Sequence, residues 1–285
     1  MEKFKNFFTG TNKRLRMTSA VCMLGIAYAF ASFGFIGLCT FILLISSLMI
    51  YEFNKLFNQK IGLKFIWDEI SIVGILTLFC LNRIFWNIPY YFFSIALVGF
   101  FCSSMLANIA SDRKHWILES ITPLYIGFGV MSILYAYLYS SIMAIIYMFI
   151  ITISTDTGAF FIGTALGGPK LWVKISPKKT WSGAIGGTLC AFTFGTSFIL
   201  FLLWNDNAGN FNSLALWGAI SLGLSFFSQC GDLFESWMKR LNNIKDSSNL
   251  IPGHGGFLDR FDSILFVAPI VALILAFAKV GVLGL

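Results

Sequence analysis

The sequence predicts an all-α, polytopic integral membrane protein with about nine transmembrane helices. Three observations carry that reading. Apolar residues make up 57% of the 285 positions and charged residues only 12%, about half the charged share of a typical soluble domain. The 32 phenylalanines cannot all be buried in a water-soluble fold of this size without leaving large exposed apolar patches. The apolar residues also fall in runs close to the roughly 20 residues that a helix needs to cross a bilayer. A soluble enzyme, a disordered chain and a small disulfide scaffold are thereby excluded.

Taken in order, the spans lie near 17–33, 35–51, 69–88, 89–110, 120–138, 140–163, 183–204, 212–233 and 262–283. Only Ser32-Phe33-Gly34 separates the first two, so they form either a tight hairpin or one helix that overshoots the bilayer. Ala27-Tyr28-Ala29, after Lys13, Arg14 and Arg16, has the form of a signal-peptidase site. Apolar sequence runs on to Met49, which argues against cleavage. The six cysteines (Cys22, Cys39, Cys80, Cys102, Cys190, Cys230) sit in or beside apolar runs without a CxxC pair. They read as packing residues rather than a zinc site or disulfide framework.

A net charge of +7 in a soluble protein would point to nucleic acid. Here the basic residues lie between apolar runs and report topology instead, with no nucleic-acid partner expected. With the N-terminus inside, the tail holds five Lys/Arg, loop 52–68 three, loop 111–119 two, loop 164–182 four and loop 234–261 four. That places 18 of the 20 on one side, with Arg83 and Lys279 on the other. The positive-inside rule therefore puts the N-terminus and the two chemically rich loops in the cytoplasm, at the inner membrane of the cell. Residues 1–140 carry few ionisable groups within their spans and read as scaffold. Residues 141–285 set acids, glycines and lysines at membrane boundaries and read as the catalytic region.

Three clusters carry the chemistry. The first is Asp156-Thr157-Gly158-Ala159-Phe160, followed by Gly163, Gly167, Gly168 and Pro169. An ionisable group inside a span is costly unless it faces a polar cavity, so Asp156 is a functional candidate; a structural Asp locking two helices is the alternative. The second is Lys170, Lys174 and Ser176-Pro177-Lys178-Lys179-Thr180-Trp181. Pro177 is expected to set a turn at the start of the next span, where the first-turn N–H groups with Lys178 and Lys179 would bind an anion. The same lysines also satisfy topology alone.

The third cluster is the densest. Asp232, Glu235, Ser236, Lys239 and Arg240 recur at three- and four-residue steps, so a helix places most of them on one face. After Lys245-Asp246 comes Pro252-Gly253-His254-Gly255-Gly256-Phe257-Leu258-Asp259-Arg260-Phe261-Asp262. Carboxylates from two helix ends can hold Mg²⁺ together with substrate phosphates. Lys239, Arg240, Lys245 and Arg260 add positive charge beside them. Acids for a divalent metal and cations for phosphates at the membrane surface fit phosphoryl or nucleotidyl transfer involving a lipid.

At Ser236, Lys239, Arg240, Lys245, Asp246, Pro252, His254, Gly255, Gly256, Asp259, Arg260 and Asp262 the sequence resembles the phosphatidate cytidylyltransferase (CDP-diacylglycerol synthase) family. Its signature is met at every fixed position. The Asp156–Phe160 and Ser176–Trp181 segments resemble the family as well, so the detailed match covers about 154–262. Thr164 stands where many members carry a basic residue, and Ser182 where many carry Glu or Gln. The resemblance implies the reaction of CTP with phosphatidic acid to give CDP-diacylglycerol and pyrophosphate, with Mg²⁺ required and a monovalent cation left open. It also implies a homodimer.

Carried over, Asp232 and Asp259 are the metal ligands, with Asp262 close by and Lys239 and Arg240 completing the catalytic set. Substrate contacts are expected from Asp156, Lys178, Lys179, Ser236, Lys245, Asp246, His254 and Arg260. The attacking phosphate of phosphatidic acid is already anionic, so no strong base is needed, and His254 orients a carboxylate or donates to a phosphate oxygen. A cation-coupled transporter using the same acids is the alternative. It requires acids near the bilayer midplane and an inverted repeat, and neither is visible.

Overall fold

The computed structural model describes residues 11–57, 63–85, 91–109, 117, 120–121, 123–140, 142–205, 214–245, 247–248, 250–251 and 255–278. Asp246 and His254 lie outside them. The helices are α1 (Thr11–Ala31), α2 (Gly34–Leu56), α3 (Leu63–Phe85), α4 (Tyr91–Ile109), a π-helical turn (Pro123–Phe128) leading into α5 (Gly129–Ser140), α6 (Ile142–Leu166), α7 (Trp181–Asn205), α8 (Leu214–Leu241) and α9 (Leu258–Ala278). Between α6 and α7 stands a two-stranded antiparallel hairpin, β1 (Lys170–Trp172) and β2 (Ser176–Thr180). The chain is a helical membrane protein. Helices overlie the predicted spans, and among the described residues four of them, α2, α6, α7 and α8, are individually long and apolar enough to cross a bilayer.

The chain packs as two compact units. One comprises 1–127 with 244–260, the other 128–243 with 261–285. The sequence division at 140/141 followed functional composition, whereas packing takes the segment 244–260 out of the C-terminal part and joins it to the first helices. In the first unit α1 and α2 form the hairpin reading of the opening spans, not the single long helix. Gly34 makes the reversal at φ +65°, a conformation that glycine adopts without penalty. Met49, Ile50, Phe53, Ile72, Leu76, Leu97 and Ile126 build this unit's core.

The second unit is organised by α6 and α7. A Cβ on Gly187 would lie 2.5 Å from the Thr155 carbonyl oxygen, one on Gly183 2.7 Å from that of Ala159, and one on Gly158 2.6 Å from Cys190 Sγ. The two backbones thus touch along a stripe of small residues, the close packing that membrane helices use where water supplies no hydrophobic drive. Gly163 meets Gly183 at the end of this seam, next to the hairpin. Helix α8 lies against both partners and pairs its polar groups inward. Ser221 bonds the Tyr147 hydroxyl at 2.8 Å, Thr155 donates to Ser225 at 2.8 Å, and Gln229 donates to Thr188 at 3.0 Å.

Replacing Gly187 by Val is expected to cost about 1–3 kcal/mol, because its branches meet helix backbone that cannot yield. Thermal denaturation of detergent-purified protein checks this. Gly223, where an added Cβ meets nothing within 4 Å, is the control site whose Ala variant does not lower the midpoint.

Candidate active site

The seam between α6 and α7 ends in a turn that only glycine serves well. Gly167 (φ +62°) stops α6, its N–H bonding the Gly163 carbonyl at 3.1 Å, and Gly168 follows at φ +99°. This is the left-handed helix cap, which a Cβ disfavours. Ser182 Oγ then donates to the Gly167 carbonyl, and Trp181 N–H to that of Pro169 at 3.1 Å. Thr180 caps α7 by accepting the Gly183 N–H at 3.1 Å. Ser182 and Thr164, the two departures from the family pattern, therefore serve the backbone here; Thr164 Oγ1 donates to the Phe160 carbonyl at 2.7 Å.

The expectation for Pro177 requires correction. Pro177, Lys178 and Lys179 belong to β2, paired with β1, and not to a turn or the first turn of a helix. Proline is tolerated in so short a ribbon because its missing N–H leaves few ladder bonds unmade. In the first turn of α7 the Trp181 and Gly183 N–H groups are already bonded, to the Pro169 carbonyl and to Thr180. The lysines instead reach the cleft from the strand.

That cleft, of about 540 Å³, is lined by Asp156, Gly163, Gly167, Lys170, Lys178, Lys179, Gln229 and Asp232, among others. Asp232 and Lys179 form an ion pair at 2.6 Å, both side chains about a quarter to a third exposed. Ser236, one turn on, donates to Asp232 at 3.4 Å. Deeper in α8, Glu235 and Lys239 pair at 3.1 Å, the carboxylate almost fully buried. Gly231 presses against the backbone of Asp262 and Ser263, where a Cβ would come within 2.6 Å of the Asp262 carbonyl. Asp262 thereby enters, buried, beside α8 and bonds the Ser263 N–H at 2.7 Å. Arg240 donates from Nε to the Ile175 carbonyl at 3.3 Å and ties the hairpin to α8.

Of the expected site residues, Asp156, Lys178, Lys179 and Asp232 thus share one cleft, with Ser236 attached. Lys239 and Arg240 lie on the same helix, in other bonds. Lys245, Asp259 and Arg260 fall in the other unit. There the Asp259 carboxylate accepts the Ser247 N–H at 3.1 Å, the Ser247 hydroxyl at 3.0 Å and the Gly256 N–H at 2.9 Å. It therefore shapes the loop that carries the signature.

Sequence reasoning missed Glu52, which faces that loop from α2. Its side chain is fully buried. It accepts hydrogen bonds from Ser247 Oγ at 3.1 Å, Ser248 Oγ at 2.5 Å, Phe257 N–H at 3.0 Å and Leu258 N–H at 2.8 Å. A carboxylate at the start of α9 meets the positive end of the helix dipole as well as two otherwise unpartnered donors. Gly256 must lack a side chain because Glu52 and Ser247 occupy the space of its Cβ. One signal was available in the sequence: Glu52 directly follows the apolar span 35–51, with Phe53, Leu56 and Phe57 after it. Gln229 was missed because a lone amide among small residues carries no pattern.

Glu52→Ala is expected to leave the Phe257 and Leu258 amides without an acceptor, at about 1–3 kcal/mol per buried donor. Hydrogen exchange over 247–258 should accelerate at least about tenfold, with peptides from α7 unchanged. Equal protection in both proteins would show that the loop holds its shape without Glu52.

The cytidylyltransferase family model matches residues 14–278. A protein of Brucella melitensis named phosphatidate cytidylyltransferase is 33% identical over 277 residues, covering 92% of this chain and 93% of its own length. Proteins of the same name from Staphylococcus haemolyticus and Staphylococcus aureus are 41% and 42% identical over 151 residues, 53% of this chain and 55% of theirs. A cleft with lysines beside carboxylates at the end of paired membrane helices, and a match over nearly the whole chain, lead to one conclusion: the chain belongs to the cytidylyltransferase family.

Proposed function

We propose that this protein is a phosphatidate cytidylyltransferase, converting CTP and phosphatidic acid to CDP-diacylglycerol and pyrophosphate in phospholipid biosynthesis. The observation that carries the reading is the cleft where Lys170, Lys178 and Lys179 stand with Asp156 and Asp232 at the ends of α6 and α7. The chain's relatives bear that enzyme's name, and they lend no support to an ion transporter.

In the reaction, a phosphate oxygen of phosphatidic acid attacks the α-phosphorus of CTP. The bond from that phosphorus to the bridging oxygen breaks, and pyrophosphate leaves with the electron pair. The nucleophile is anionic at neutral pH, so the chain's task is to bring two polyanions together and hold the charge that moves to the leaving group. Lys170, Lys178 and Lys179 bind and neutralise phosphates from the hairpin. Ser236 and Arg240 orient them from α8, with Lys239 behind.

The donors suit Mg²⁺. Among the described residues no three or more His, Cys, Asp or Glu form a closed cage, and Mg²⁺ binds through one or two carboxylates while substrate phosphates and water complete its shell. When bound, it supplies charge neutralisation at the transferring phosphate. Asp232 offers a cleft-facing carboxylate. Asp259 is the second ligand that the family resemblance implies. The nine-span topology with N-terminus and cleft cytoplasmic, in the inner membrane, rests on the lysine and arginine distribution. The homodimer rests on family resemblance.

Detergent-purified protein given CTP, phosphatidic acid and Mg²⁺ should release pyrophosphate only when all three are present. Asp232→Asn should lower kcat by about 10²–10³-fold with thermal stability retained, and EDTA should abolish the wild-type rate. Asp232 is the cleaner probe because Asp259 also holds its loop. Release that ignores EDTA, or none from folded wild type, overturns the assignment.

A further inference from the structure

We propose that the β1–β2 hairpin is a docking surface for anionic phospholipid headgroups, holding Trp172 and Val173 at the membrane interface and passing lipid phosphate toward the cleft. Its last step rests on the phosphatidate reading above; the docking itself does not.

The placement follows from the two helices that the hairpin joins. Both α6 and α7 are long and apolar enough to cross a bilayer, and their glycine seam holds them backbone to backbone. A short connection between such ends stays at the plane where they leave the hydrocarbon. The hairpin is also anchored at both ends of its length. Trp181 N–H bonds the Pro169 carbonyl at its base, and Arg240 holds the Ile175 carbonyl near its turn.

Its side chains match an anionic lipid layer. Trp172 is 54% exposed, Val173 63% and Trp181 54%, an apolar display that water alone would disfavour. Tryptophan settles at headgroup depth, with its ring in the apolar layer and its N–H in the polar one. Lys170, Lys174 and Lys178 are exposed between these residues, and segment 170–180 contains four lysines and no Asp or Glu. Juxtamembrane lysines of this kind are attracted to anionic lipid surfaces. Lys170, Leu171 and Lys178 also line the cleft. The surface that would gather lipid phosphates is therefore continuous with the one expected to use them.

The test uses protein labelled with 5-fluorotryptophan in nanodiscs of phosphatidylcholine, with or without phosphatidylglycerol. The Trp172 fluorine resonance is identified by its loss in Trp172→Phe. A spin label carried at headgroup depth by lipid should broaden it, more so with phosphatidylglycerol present, while a soluble gadolinium chelate should not. Broadening by the chelate alone, or protection from both agents as a covering protein would give, overturns the proposal. In vesicles, Lys174→Gln should raise the surface KM for phosphatidic acid about fivefold, with KM for CTP and kcat unchanged. Equal loss of kcat under all conditions would instead mark a structural defect and sink the docking role. The fluorine readout needs no turnover, so failure of docking and failure of the cytidylyltransferase reading give different results.

Discussion

The contact between α6 and α7 sets the terms for everything around the cleft. Four glycines, Gly158, Gly163, Gly183 and Gly187, remove the side chains that would hold the two backbones apart. Lipid offers no hydrophobic reward for helix association, so closeness itself, through dispersion contacts, is the stabilising interaction. Because the helix ends emerge side by side, the chain between them folds as a tight ribbon rather than a long loop. The ribbon in turn brings Lys178 and Lys179 to the cleft from a strand whose direction the Thr180 cap fixes. Loosening the seam would alter the lysines' aim without touching a charged residue.

A second constraint is that charge inside an apolar protein must be matched where it stands. Helix α8 meets it with a ladder of neutral pairs through Ser221, Ser225 and Gln229, then with ion pairs as it nears its basic C-terminus. Lys239 and Arg240 there also complement the negative end of the helix dipole. Glu52 meets the constraint differently. Four donors, from Ser247, Ser248, Phe257 and Leu258, converge on it. An N-terminal helix assigned to scaffolding thus shapes the segment that contains Gly256 and Asp259.

Much of this was legible in the sequence. Helix positions followed from apolar run lengths, and the cluster on α8 from three- and four-residue steps, seen now as the Asp232–Ser236 and Glu235–Lys239 contacts. What failed to show had physical causes. The hairpin is three plus five residues long, includes a proline, and alternates poorly, so no period-2 signal marks it. Glu52 acts across almost two hundred positions, and no local pattern reports a partner that distant. Nor does the sequence reveal that Thr180 caps α7, which leaves Lys178 and Lys179 in the strand before the helix. Thr180 does so through a bond to Gly183 that depends on the strand before it.

The charged residues near the cleft are not equally able to respond to substrate, and burial decides which can. Lys179 and Asp232 are both part-exposed, and pairs of that kind contribute about 0–1 kcal/mol. Such a pair opens at little cost, which frees an ammonium for an anion and a carboxylate for a cation in the same place. Glu235 and Lys239 are buried, and removing one partner from such a pair costs about 3–5 kcal/mol. Lys239 is therefore held in place by its buried partner. Adjacent turns of one helix thus hold an exchangeable pair and a permanent one. The first is suited to a ligand that arrives and leaves, whereas the second, closed within α8, stays as it is.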